Sequence, residues 1–154
     1  MRKAGNLAAS TLDLLVEKVK PGVSTEELDN IAFDYIVRHG GLIAPLFYKG
    51  YPKSVCTSIN HVICHGIPSS RILENGDIVN IDVTVIVDGW HGDTSRMFPV
   101  GKINAKAQKL IDCTFNAMHE GIHAAQPNAT LGDIGSAIQT FTEKQNYSVV
   151  RDFC

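Results

Sequence analysis

Apolar residues recur at helical spacing in four stretches of this chain and alternate with polar ones in its middle third. Over residues 2 to about 19, Leu7, Leu12, Leu14, Leu15, Val16 and Val19 form the apolar side of an amphipathic helix, which Pro21-Gly22 ends. Ser24-Thr25-Glu26-Glu27 has the form of a capping box. It opens a second helix, about 25 to 39, with Leu28, Ile31, Ala32, Tyr35 and Ile36 as its buried side and His39-Gly40-Gly41 as its stop. A loop dense in Pro, Gly and aromatic residues follows over 42 to 53. Ser54 to Asn60 alternates as a strand, and His61 to Pro68 is expected to continue it into a turn. A third helix, about 104 to 125, is expected to bury Leu110, Ile111, Phe115, Met118 and Ile122. Thr130 to Asp133 caps a fourth that runs to about Gln145, and Tyr147 to Arg151 reads as the start of a strand.

The clearest alternation lies between Asp77 and Val100. From Ile78 to Val87 the run is β-branched and apolar, interrupted at every second position by Asn80, Asp82 and Thr84. Asp88-Gly89 is a two-residue turn, because both residue types tolerate a positive φ. Such a turn sets Val87 against Trp90, Thr84 against Asp93 and Asp82 against Ser95. Asp82 and Asp93 then become diagonal neighbours on one face, roughly 7–8 Å apart at the backbone. Two carboxylates so placed repel unless something positive lies between them; a divalent cation, or a pair of cations sharing one carboxylate, is the natural candidate, and a solvated polar face is the other reading. His91-Gly92-Asp93 adds an imidazole and a flexible glycine beside the second acid.

Composition narrows the class. The 154 residues are 44% apolar and 19% charged with net charge −2, which suits a globular domain and gives no basic stripe for a nucleic acid. No apolar run approaches the length of a membrane span, and Met1-Arg2-Lys3 is followed by no signal-peptide core. Cys56, Cys64, Cys113 and Cys154 show no CxxC spacing, so a reduced, cytoplasmic chain is expected. The glycosylation patterns at Asn128 and Asn146 carry no meaning there.

The chain also resembles itself. Lys20-Pro21-Gly22-Val23-Ser24 before one helix matches Gln126-Pro127-Asn128-Ala129-Thr130 before another, at an offset of 106 residues. The expected organisation is one catalytic domain over 1–154, with a first pseudo-repeat about 1–103 and the start of a second about 104–154. The second copy has strand sequence only from Tyr147 onward, so the chain reads as the front part of a protein with roughly 100 further residues. The first helix has no cap, which makes Met1 look like a cut point.

YPKSVCTSIN, CHGIP, NGDIVNIDVTV, DGWHGDTSRMF and YSVVRDFC, in this order, resemble the bacterial type I methionine aminopeptidases along essentially the whole chain. The resemblance implies an α+β pita-bread fold: a curved antiparallel sheet, helix pairs on its outer face and internal pseudo-twofold symmetry, here with an incomplete second half. It implies removal of the initiator methionine from nascent polypeptides whose second residue is small. It implies two divalent metal ions, from among Co²⁺, Mn²⁺, Fe²⁺ and Zn²⁺, with Asp82 as a ligand of one and Asp93 bridging both. It places His65 against the substrate near the scissile bond, and Tyr48, Tyr51 and Cys56 in the methionine side-chain pocket. The implied partners are nascent N-termini and the ribosome surface, in a cytoplasmic protein that is monomeric when full length. The family's Gly-His-Gly ligand motif and both ligand glutamates have no counterpart before Cys154. Residues 1–154 alone are therefore expected to release little or no methionine. The other reading is a catalytically inactive pita-bread module that binds polypeptides.

His119-Glu120-Gly121-Ile122-His123 is a literal HExxH, the zincin pattern. At 100° per residue its histidines fall on the flank of the apolar stripe and Glu120 nearly opposite it. The expectation is two solvated histidines. His61 and His91 receive no direct role.

Overall fold

The computed structural model describes residues 1–152. The chain divides into two compact units, Met1–Ile103 and Asn104–Cys154. The first contains helices α1 (Arg2–Leu15) and α2 (Thr25–Arg38) and strands β1 (Leu42–Ile43), β2 (Cys56–Ile59), β3 (Ile78–Val87) and β4 (Trp90–Pro99). The second contains helices α3 (Ala105–Ala124) and α4 (Leu131–Lys144).

β3 is the centre of the first unit. It pairs antiparallel with β4 along its whole length, in the register set by the Asp88-Gly89 turn: Val87 with Trp90, Thr84 with Asp93, Asp82 with Ser95. Its other edge is shared end to end by β1, opposite Val85 and Ile86, and β2, opposite Val79 to Asp82. Period 2 then divides the sheet. Val79, Ile81, Val83 and Val85 are fully buried against the helices, while Asn80, Asp82 and Thr84 are half-exposed on the opposite face. The core comprises Ala4, Leu7, Ala8, Leu12 and Leu15 of α1, Leu28, Ala32 and Ile36 of α2, and that buried row of β3 with Phe98 and Val100.

Where α1 crosses β4 the two backbones almost touch. A Cβ on Gly92 would lie 2.2 Å from the Ala4 carbonyl carbon and 2.4 Å from the Gly5 nitrogen. Gly92 is buried and has no positive φ, so it serves close approach rather than flexibility, which corrects the sequence reading. α1 also ends earlier than its apolar pattern suggests. After Leu15 the chain turns, with Lys18 and Val19 both donating to the Leu15 carbonyl, and Val19 reaches the core from that turn.

β2 stops at Ile59, and residues 61–68 do not continue it. Asn60 has φ 52°, which takes the backbone out of the sheet. Its side chain substitutes for the next ladder rung, accepting from Ile78 N at 3.0 Å and donating to Asp77 Oδ1 at 2.8 Å. The following loop folds back on the edge of β2. Thr57 N donates to Gly66 O at 2.8 Å and Gly66 N to Ser58 Oγ at 3.1 Å.

In the second unit, the offset of 106 carries Thr25–Arg38 onto Leu131–Lys144 end to end, and both helices are capped by a hydroxyl, Ser24 and Thr130. α3 departs from expectation. Its buried residues are Cys113, Ala117 and Gly121, whereas Phe115 (59% exposed), Met118 and Ile122 face outward, and Leu110 is exposed too. The seam with α4 is made by small residues because the helices approach closely. A Cβ on Gly121 would already lie 2.8 Å from Ile138 Cδ1. Tyr147 to Arg151 forms no strand among the described residues, since a strand exists only through its ladder and no partner is paired with it there.

α4 begins with a complete capping box. Thr130 Oγ1 accepts from Asp133 N, and Asp133 Oδ2 accepts from Thr130 N at 2.7 Å. These bonds hold the Asp133 carboxyl below its ordinary range. A depressed carboxyl stabilises the fold above its unfolded pKa and loses that contribution as pH falls through its folded pKa. Acidification through and below the usual carboxylate range is therefore expected to fray α4. Helical circular dichroism should report it, and Asp133→Asn should weaken the dependence.

Candidate metal and substrate site

Directly opposed residues of an antiparallel pair project to the same face. Cys56 opposes Asp82 across β2–β3, and Ser95 opposes Asp82 across β3–β4. Asp93 opposes Thr84, whose hydroxyl donates to Asp93 Oδ1 at 3.0 Å. The face of the sheet turned away from α1 and α2 thus collects Cys56, Asp82, Thr84 and Asp93.

Asp82 and Asp93 are diagonal neighbours on this face. Asp82 is half-buried, and its carboxyl is pushed up first by desolvation and then by the charge of Asp93, against a smaller opposing effect of His65. His65 is exposed and has φ 55°, so a left-handed backbone turns it away from β2 at the top of the returning loop. Gly66 fixes the same turn, because a Cβ there would lie 2.2 Å from Thr57 O.

Cys56 is buried, and burial pushes its thiol up, with Asp82, Asp93 and Asp29 adding in the same direction. Tyr51 lies within hydrogen-bonding reach of that thiol, and its hydroxyl is raised well above the ordinary range, chiefly by burial. The same hydroxyl donates to Val55 O at 2.8 Å and to Gly66 O at 3.2 Å. Tyr51 therefore joins the aromatic loop to the loop that carries His65. Tyr48 differs: it is 65% exposed on a short 3₁₀ turn, with the Lys49 ammonium 5.6 Å from its ring centroid. His91 and His61 are exposed.

Two residues that shape the site were not singled out from the sequence. Thr84 orients Asp93, as described. Asp29 of α2, 4% exposed, accepts from the backbone nitrogens of Ser54 and Val55 just before Cys56. Its signal was available: a carboxylate among Leu28, Ala32 and Ile36 on the buried side of α2.

An acid pair whose first member is half-buried and raised by its neighbour matches what a divalent cation with oxygen ligands requires. Among the described residues no group of three or more His, Cys, Asp or Glu side chains is placed to hold a metal ion. The HExxH segment accordingly gathers no third ligand there. Its rings lie 6.5 Å apart, with Phe115 edge-on to His119.

Comparison with known proteins agrees with this picture. The model of metallopeptidase family M24 matches residues 1–154. The methionine aminopeptidase of Rickettsia prowazekii is 59% identical over 153 residues, covering 99% of this chain and 59% of its own length. That of Escherichia coli is 53% identical over 156 residues, covering all of this chain and again 59% of its own length. A crystal structure of the Rickettsia prowazekii enzyme superposes with a TM-score of 0.97 at 58% identity, over 99% of this chain and 61% of that one. The chain belongs to metallopeptidase family M24 and has its pita-bread fold. It spans about 60% of the length of the relatives it matches. No helix among the described residues is long and apolar enough to cross a membrane.

Proposed function

We propose that the protein carrying this chain is a methionine aminopeptidase, which removes the initiator methionine from nascent polypeptides with a small second residue. The observation that carries the reading is the acid pair: two carboxyls set as diagonal neighbours on one face of the β3–β4 hairpin, where burial and the charge of Asp93 push the Asp82 carboxyl up. In this reading Asp82 and Asp93 would hold two divalent ions, from among Co²⁺, Mn²⁺, Fe²⁺ and Zn²⁺, Asp82 serving one ion and Asp93 both. The chemistry such ions would supply when bound is activation of a water and polarisation of the scissile carbonyl. His65 contacts the substrate near the scissile bond and assists the leaving amine. Cys56 and the ring of Tyr51 wall the methionine side-chain pocket, and Tyr48 stands at its exposed rim. Nascent N-termini are the substrates, the ribosome surface a further partner, and the cytoplasm the compartment.

A binding module of the same fold has no use for a strained acid pair, which favours the enzyme. The full-length protein is expected to release methionine from a Met-Ala-Ser peptide with added divalent metal and to stop when a chelator removes it. Release that a chelator does not affect, or no release with any of the four metals, would sink the proposal.

A further inference from the structure

We infer that Asp29, a buried acid on α2, is a positioning residue that holds the substrate-pocket wall in place. This rests on the functional reading above. One oxygen, Asp29 Oδ1, accepts from Ser54 N at 2.7 Å and from Val55 N at 3.0 Å. Both nitrogens belong to the segment that leads from Tyr51 into Cys56. The carbonyl of the same Val55 accepts from the Tyr51 hydroxyl at 2.8 Å, and that hydroxyl also reaches Gly66 O. Gly66 follows His65 directly, and its carbonyl accepts from Thr57 N.

A continuous path therefore runs from the α2 backbone through Asp29, Ser54-Val55 and Tyr51 to the turn that presents His65. Glu26, one helical turn before Asp29, adds a second tie to the same segment through Lys53 Nζ at 2.7 Å. The two ties differ in character. Lys53–Glu26 is partly solvated, with the glutamate side chain 48% exposed, and contributes little. Asp29 is buried and satisfies two backbone donors that would otherwise lie unpaired.

The wall has no regular ladder of its own before Cys56, since residues 53–55 form bends rather than a strand. The Val55 side chain is anchored in the core, but without Asp29 the backbone of Ser54 and Val55 loses its alignment, and with it the Val55 carbonyl that receives the tyrosine spanning to Gly66. Tyr51 and His65 then lose their common frame, while Cys56, Asp82 and Asp93 keep theirs on β2, β3 and β4. The expected defect is in substrate positioning, not in the acid pair.

Because a single oxygen accepts both bonds, an amide carbonyl can replace it. In the full-length, metal-loaded protein, Asp29→Ala should raise KM for Met-Ala-Ser about tenfold or more, the effect expected of a displaced positioning group. Asp29→Asn should restore KM to within about threefold. Leu12→Ala, a core change on α1 remote from this segment, serves as a control for general destabilisation and should leave KM near normal at temperatures where it is folded. Amide exchange gives a readout independent of activity: protection at Ser54, Val55 and Thr57 should fall in the alanine variant and return in the asparagine variant. An alanine variant with normal KM, unchanged exchange, or a KM defect no greater than that of Leu12→Ala overturns the inference. If the unsubstituted protein releases no methionine while the exchange pattern responds as described, the tether stands and the proposed function falls.

Discussion

Replacing Gly92 with alanine should destabilise the first unit by at least about 3 kcal/mol, at the upper end of what overpacking costs. Against a typical domain stability of about 5–15 kcal/mol, that is enough to lower the melting temperature by many degrees. The reason is the identity of the atoms a new methyl meets. They are the carbonyl carbon and oxygen of Ala4 and the nitrogen of Gly5, at 2.2, 2.4 and 2.4 Å, and none belongs to a side chain that can swing aside. To admit the methyl, α1 must lift from β4, and with it Leu7, Leu12 and Leu15 leave the core. Gly5, on the helix side of the same crossing, provides the contrast. A Cβ there meets nothing within 4 Å, so Gly5→Ala should be neutral or stabilising by roughly 0.5–1 kcal/mol through helix propensity. Two neighbouring glycines thus have opposite expected responses to one methyl group. Thermal melts of both variants check the pair, and a Gly92→Ala melt within a few degrees of the unsubstituted chain would show that the helix does not lie where described.

The register of the hairpin was legible because two independent signals agreed. Alternation named the face of Asp82, and the Asp88-Gly89 turn named its partners, leaving no freedom in where Asp93 must stand. The caps at Ser24 and Thr130 were legible because they are local. What failed depended on contacts distant in sequence. Large apolar residues pointed to Phe115, Met118 and Ile122 as the buried side of α3, yet a close helix pair selects small residues, and Cys113, Ala117 and Gly121 are read as weak positions by any size-weighted pattern. Gly92 looks the same in sequence whether it permits a turn or a crossing helix, and only the position of Ala4 decides. The role of Asp29 was half visible: its place on an apolar stripe demanded a buried partner, but the partners are backbone nitrogens of residues 54 and 55, which carry no sequence signature. The reach of the strand from residue 54 was misjudged because Asn60 looks like any polar alternating residue until its side chain is seen bonding Ile78 and Asp77.

Asp82→Asn should move stability and activity in opposite directions. In the metal-free protein the substitution removes one of two acids that crowd each other, and it removes a half-buried charge, so the melting temperature should rise. The pH dependence follows from the direction of the shift. Asp82 is raised in the folded state, so its contribution to stability is fully present below its unfolded pKa and is lost as pH climbs through the folded value. The metal-free parent should therefore weaken as pH rises out of the ordinary carboxylate range, and the asparagine variant should show a flatter curve. Added divalent cation reverses the ranking. It stabilises whichever protein binds it in proportion to the logarithm of its concentration over its dissociation constant, and the variant has lost a charged ligand. A metal site provides several kcal/mol of transition-state stabilisation, at about 1.4 kcal/mol for each tenfold in rate. Methionine release by the full-length variant should accordingly fall about a hundredfold or more. Melting with and without Mn²⁺ separates the two effects in one experiment. A variant that melts lower than the parent without metal would show that Asp82 holds the hairpin together, while one that keeps both its metal response and its activity would remove Asp82 from the site. The opposed outcome is the one the proposed metal site requires, because the repulsion that weakens the hairpin without metal is what would make the pair a ligand.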